Sequence, residues 1–300
     1  MNVINVKGGL GNQMFQYAFF LSHLIKNEET KLEITNFQDY YSHNGLELCA
    51  VFGINLANNV YKGASKSSKD TFPFFKLRKW IGQIFLNKNL FIKQSHYIEE
   101  NYSHFDLTIY QKKDAYLDGY WQNEKYFINI RSEILSKYKW LTISKRNELL
   151  ASKMSSENSI AVHIRRFDKI KKASDIIYFL RLILTYRITP KSYYSRAIQL
   201  IKNSVPNPKF YIFTNNVKWV QNNFNEDVSF TFVDWNKGLK SNEDMFLMSK
   251  CKHNIISAST FSWWGAWLNP NRGKIVVAPK KWASRLEIDR GIVPKNWKRI

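Results

Sequence analysis

The sequence predicts an α/β protein with parallel sheets arranged in two halves, and three observations carry that prediction. The chain opens on an apolar stretch, a glycine turn and a helical pattern. From Ile160 onward, five apolar stretches alternate with helical ones. The 300 residues are enough for two cores of about 150 residues each.

Taken in order, Val3 to Val6 reads as a strand and Gly8 to Gly11 as a tight turn. Met14, Tyr17, Ala18, Leu21, Leu24 and Ile25 then recur at the spacing of a helix with one buried face. The later strands are Ile160 to Ile164, Phe210 to Phe213, Phe230 to Val233, Asn254 to Ser257 and Ile275 to Ala278. Short apolar strands separated by helical patterns indicate a doubly wound parallel sheet. The polar run Ser152 to Ser159 precedes this block and is the expected linker, dividing residues 1–155 from 156–300. No fixed-period repeat interrupts the pattern.

With 45 Lys and Arg against 24 Asp and Glu, the net charge of +21 suits an anionic partner: nucleic acid, an acidic membrane surface or a phosphate-bearing substrate. The basic residues form no RNP, helix-turn-helix or zinc module, which makes nucleic acid the weaker alternative. Cys49 and Cys251 stand far apart without metal or redox spacing, as expected in a reducing cytoplasm. Met1 to Val6 leads straight into a strand rather than a leader segment. No window reaches the roughly 18 to 20 apolar residues of a membrane span.

A cytoplasmic protein is therefore expected, with peripheral contact to the inner face of an anionic membrane as an option. That option rests on Tyr61 to Lys93, where eight Lys or Arg and the single acid Asp70 are mixed with Phe72, Phe74, Phe75, Trp80 and Phe85. Such a segment either lies on anionic lipid or packs on its own domain with a solvated basic face. Lys171 to Arg187, apolar between basic ends, reads as a buried helix, with a membrane contact as the weaker alternative.

Four segments carry candidate chemistry. Gly8-Gly9-Leu10-Gly11-Asn12-Gln13 lies between a strand and a helix start, where backbone N–H groups can face an anion; it lacks the spacing of a Walker A or GxGxxG loop. His163-Ile164-Arg165-Arg166-Phe167-Asp168 follows the first strand of the second block, at the end where open α/β sheets bind ligands. Guanidinium groups there can hold a diphosphate and stabilise its departure, a task that otherwise falls to a divalent metal; no Asp-x-Asp pair is present to bind one. A salt-bridge cluster at the strand end is the alternative.

Glu243-Asp244 opens a helix expected over Met245 to Cys251. There a carboxylate either favours the helix dipole or accepts the N1 and N2 protons of guanine. Ser257 to Trp267 places hydroxyls at a strand end, then Phe261, Trp263, Trp264 and Trp267. These serve either as cap and core, or as a phosphate and base site.

The stretches GGLGNQMFQYAF at the start, GYWQNEKYF at Gly119 to Phe127, HIRRFD, and CKHNIISASTFSWWGAWLN at Cys251 to Asn269 resemble glycosyltransferase family 11, the α-1,2-fucosyltransferases. These pieces span nearly the whole chain. The resemblance implies a GT-B architecture, two Rossmann-like domains facing a cleft. GDP-fucose would be held mainly by the C-terminal half, an oligosaccharide or lipid-linked glycan acceptor by the N-terminal half, and no cofactor or metal would be required. Arg165 would contact the β-phosphate, Arg166 would support it, His163 would lie toward the nucleotide and Asp168 would order the arginines.

The resemblance further implies that Asp244 reads guanine and that Ser259, Thr260 and Phe261 surround the diphosphate and base. Gly9, Gly11, Asn12 and Gln13 would approach from the other domain. The family inverts at the anomeric carbon, so β-linked GDP-fucose would give an α-fucoside in one displacement. Asp168, His163, Asp118 and Glu124 remain candidates for the base. Two departures bear on this: Phe167 stands where relatives usually carry glycine, and Thr214-Asn215-Asn216 where a Ser-Asp-Asp type sequence is common. They leave acceptor preference open, along with another GDP- or dTDP-linked deoxysugar as donor.

Overall fold

The computed structural model describes residues 1–37, 44–61, 96–99, 104–166, 188–224, 229–282 and 291–300. The basic aromatic stretch beyond Tyr61, the stretch 171–187, Phe167 and the expected site residue Asp168 lie outside the described residues.

Two parallel sheets organise the chain. The first contains β1 (Asn2–Asn5), β2 (Thr30–Glu33), β3 (His96–Ile98) and β4 (Tyr116–Asp118), in the order β2-β1-β4-β3. The second contains β5 (Ser159–Ile164), β6 (Lys209–Thr214), β7 (Phe230–Val233), β8 (His253–Ile255), β9 (Val276–Ala278) and β10 (Lys298–Arg299), in the order β10-β9-β8-β5-β6-β7. Two parallel α/β units in one chain are the GT-B arrangement anticipated from sequence. The helices are α1 (Leu10–Lys26), α2 (Glu47–Phe52), α3 (Arg131–Lys137), α4 (Lys145–Ser156), α5 (Lys191–Ser204), α6 (Val217–Asn223), α7 (Asn242–Lys250) and α8 (Thr260–Trp267).

Strand order locates the ligand crevices. From β5 the chain builds outward through β6 and β7, then returns to place β8 on the other side of β5, so the order reverses between β5 and β8. In the first sheet the same reversal falls between β1 and β4. Ligands of open α/β sheets bind outside the carboxyl ends of the strands at such points.

Sequence patterning missed several elements for identifiable reasons. The stretches TKLE, HYI, YLD and the two-residue Lys298–Arg299 are too short or too polar to register as apolar strands; sheet partners alone define them. Residues Ser152–Ser156, expected to begin a linker, instead complete α4, whose inner side packs on α7. Three serine hydroxyls of that turn fold back onto helix carbonyls, Ser152 onto Glu148 at 3.1 Å, Ser155 onto Ala151 at 2.9 Å and Ser156 onto Lys153 at 2.9 Å. A helix can satisfy its polar side chains locally in this way, so polarity did not mean irregular chain.

The largest core cluster joins the two halves. Phe15 of α1, Phe127 and Tyr138 surround Trp264 of α8, with centroid separations of 4.9, 5.5 and 5.3 Å. Each indole N–H of α8 finds a different segment: Trp263 donates to Ile292 O at 2.6 Å, Trp264 to Gly11 O at 2.9 Å and Trp267 to a Glu124 carboxylate oxygen at 3.1 Å. At roughly 25 cal/mol per Å² and about 200 Å² per ring, each tryptophan contributes about 5 kcal/mol of gross transfer free energy. The three rings are therefore core residues, and α8 is the seam between the sheets. Among the described residues, no helix is long and apolar enough to cross a membrane.

Candidate active site

Two helix N-termini meet at the junction of the halves. Gly9 caps α1 and Ser259 caps α8, both in extended conformation and neither with a side-chain cap bond. They approach so closely that a Cβ on Gly11 would fall 2.7 Å from the Thr260 carbonyl carbon and 2.8 Å from the Phe261 nitrogen. Only glycine fits there, because the obstruction is largely backbone. First-turn N–H groups have no partner within their own helix, so their convergence creates positive potential suited to an anion.

The β5–β8 crevice adds side chains to this junction. His163, at the end of β5, is buried and its Nδ1 lies 2.8 Å from Ser257 Oγ, which follows β8. Its ring sits 6.0 Å from that of Phe261. Burial, reinforced by the Arg165 charge, lowers the imidazole pKa to about 3, so it is neutral at physiological pH. Arg165 is exposed at the crevice. Arg166 is half-buried and its guanidinium lies 4.0 Å from the centre of the Trp219 ring, so the two arginines are in different environments.

Asn215 and Asn216 have clear local roles. Asn215 accepts from Arg166 N at 2.8 Å and returns its amide N–H to Arg166 O, clamping the backbone after β5 from both sides. A carboxylate could accept but not donate, so the amide suits this bond pair. Asn216 caps α6 by accepting from Trp219 N at 2.9 Å and thereby places the ring beneath Arg166.

The adjacent carboxylates at the start of α7 also separate. Glu243 is buried and accepts from Ser144 N at 3.0 Å, Ser144 Oγ at 2.6 Å and Asn147 Nδ2 at 2.6 Å, so it anchors the start of α4. Asp244 is held by Asn236 Nδ2 at 2.8 Å and stays partly accessible. Burial first, then the nearby Glu243 and Asp234, push its carboxyl up to about 7.

Of the residues expected from the first domain, Asn12 lies at the junction, its Oδ1 accepting from Gln122 Nε2 at 3.0 Å. Gln13 does not present its side chain to the junction. It is fully buried, donating to Gly8 O at 2.9 Å and Gly45 O at 2.8 Å and accepting from Glu47 N at 2.9 Å. Gln16 works in the same way, accepting from Lys7 N at 3.0 Å and donating to Gly119 O at 2.9 Å. These amides brace the loops around the glycine turn, a role that spacing alone did not distinguish from ligand contact.

At the β1–β4 crevice, Asp118 forms an ion pair with Lys7 and accepts from Asn5 Nδ2 at 3.1 Å. Beside it, Glu99 is buried after β3, a residue that sequence patterning passed over. Its Oε2 accepts from Tyr120 N at 2.6 Å and Trp121 N at 3.1 Å, and burial pushes its carboxyl up to about 8. Glu124 lies away from this crevice, bonded to Trp267 on the seam.

The model of glycosyl transferase family 11 matches residues 1–300. An α-1,2-colitosyltransferase of Escherichia coli is 30% identical over 99% of this chain and 98% of its own. The O-antigen biosynthesis glycosyltransferase WbnK of Escherichia coli is 31% identical over 92% of this chain and 93% of its own. A galactoside α-(1,2)-fucosyltransferase 2 of Oryctolagus cuniculus is 22% identical over 89% of this chain and 67% of its own. A family match over the full length, with two crevices and paired helix N-termini at its centre, makes the chain a glycosyltransferase of family 11.

Proposed function

We propose that this glycosyltransferase moves a deoxysugar, L-fucose in the first reading, from its GDP-linked form to the 2-hydroxyl of a β-galactoside in surface-glycan synthesis. The observation that carries the proposal is the approach of the α8 and α1 N-termini to each other beside the end of β5, where His163 bonds to Ser257 and Arg165 follows exposed. Fixed positive charge and unpaired N–H groups meet there, as a departing nucleoside diphosphate needs.

In this reading Arg165 takes up charge on the β-phosphate as the glycosidic bond breaks, with the Thr260 and Phe261 N–H groups alongside. Arg166, stacked on Trp219, supports the loop rather than the phosphate. Neutral His163 orders Ser257 and Phe261. Asp244 accepts from the guanine edge in its ionised form. A hydroxyl of the acceptor attacks from the side of the first sheet with inversion, and no metal takes part.

The full-length relation to a colitosyltransferase favours a second donor, GDP-linked colitose, over the same chemistry. Calorimetry with GDP, followed by transfer assays with GDP-fucose and GDP-colitose on a panel of galactosides in EDTA, tests the proposal. The product linkage is read by NMR. Absence of GDP binding, or activity that requires Mn²⁺ or Mg²⁺, would overturn it. The donor used faster decides between the two sugars.

A further inference from the structure

Glu99 is a carboxyl that the proposed transfer step does not use. It is 4% exposed, and its Oε1 is buried without a hydrogen-bond partner. Leaving a buried polar atom unpaired is costly, so the arrangement calls for a reason. Because Oε1 is closed off, a sugar hydroxyl cannot reach it, and Glu99 is not placed to take the acceptor proton.

The turn after β4 wraps around this carboxyl. Tyr120 N and Trp121 N both donate to Oε2. A Cβ on Gly119 would lie 2.7 Å from both Glu99 Cβ and Oε2, so the turn can close only over glycine. Trp121 is left-handed at φ 55, a conformation unfavourable for a bulky residue that persists only where surroundings enforce it. The next residue, Gln122, then reaches Asn12 at the start of α1. Lys7 and Asp118 face Glu99 from the ends of β1 and β4, and the Tyr126 hydroxyl is also within its field.

We infer that Glu99 is a positioning residue: its carboxyl holds Trp121 in the left-handed turn and thereby aims Gln122 at Asn12, shaping the acceptor side of the junction. The kinetic part of this inference rests on the transfer reading above, whereas the structural part does not.

Two measurements test it. In protein labelled with 5-fluorotryptophan and assigned through Trp121→Phe, the Trp121 ¹⁹F resonance should move with a midpoint near pH 8 in wild type and stay flat in Glu99→Gln. A midpoint that persists in Glu99→Gln, or no movement in wild type, would overturn the inference. With the galactoside that wild type uses fastest, Glu99→Ala should raise the acceptor KM by about tenfold or more at little change in GDP affinity.

Glu99→Gln keeps an oxygen for the two N–H donors and should restore KM to within about threefold. Loss of kcat by about 10² or more in Glu99→Gln would identify a proton acceptor and refute a positioning role. If Glu99→Ala does not fold by near-ultraviolet circular dichroism, Glu99→Gln and Glu99→Asp decide the same question. If wild type transfers nothing, the function reading fails while the fluorine titration still decides the role of Glu99.

Discussion

Each sheet has one crevice where its strand order reverses, and the two crevices are furnished with different charge. Between β1 and β4, Lys7 is paired with Asp118 and the neighbouring carboxyl of Glu99 is buried. Between β5 and β8, a neutral imidazole bonds to a serine while Arg165, just past the end of β5, remains exposed. The first crevice neutralises its charge within the protein; the second leaves positive charge available. In the transfer reading proposed above, a neutral, hydroxyl-rich sugar suits the former and a diphosphate the latter, a division of labour that would follow from which charges are left unpaired.

Substitutions on either side test this contrast. Trp264→Ala removes the ring that ties α8 to α1 and leaves Gly11 O without its donor. It should cost about 3–5 kcal/mol in a denaturant or thermal melt, and loss of GDP binding should accompany it. A loss below about 1 kcal/mol would show that the seam lies elsewhere.

Arg165→Ala leaves the fold intact and should lower kcat by 10²–10³, or about 3–4 kcal/mol. Near wild-type turnover would remove the proposed charge from the second crevice. The contrasting change, Lys7→Met, should weaken GDP binding little while impairing acceptor use, read from separate donor and acceptor KM values.

Protonation should separate the sites as well. If Asp244 accepts from guanine only when ionised, GDP affinity should fall by up to about tenfold per pH unit below pH 7, and that slope should vanish in Asp244→Asn. His163 concerns stability instead. Its folded pKa of about 3 lies below the ordinary 6.5, so the unfolded chain binds the proton first. Stability from this group is present above about pH 6.5 and falls by up to about 1.4 kcal/mol per unit as pH drops toward 3. His163→Gln should reduce the acid slope of the melting curve. Buried His23 in the first half, with a pKa of about 4, should keep its own share. Last and smallest, Asn215→Ala releases the Arg166 backbone and should weaken GDP binding by a few fold, about 1 kcal/mol.

Much of the second half was legible because its strands are apolar throughout and its helices periodic. Ile160 to Ile164 and Phe210 to Phe213 needed only small boundary changes, and the positions of His163, Arg165 and Ser259 at strand and helix ends followed from them. The first half was less legible. HYI and YLD are too short to show a period, and Glu99 has no motif of its own. Its significance arises when the turn of Gly119 to Gln122, which begins twenty residues later, closes over it. Gln13 shows the converse. Its place in a glycine turn pointed to a ligand, whereas two backbone carbonyls and an N–H engage its amide completely.

Residue order carries the α/β class, the family and the locations of the chemical groups, because periodicity, glycine spacing and strand-end motifs are local properties. Which of those groups are committed to the fold depends on packing. It stacked Arg166 on Trp219, committed Glu243 to α4 and left Asp244 partly accessible, and it placed Trp263, Trp264 and Trp267 in the seam. The physical reason is that burial and hydrogen-bond saturation depend on partners distant in the chain, and these determine whether a polar group holds the fold together or remains available to a substrate.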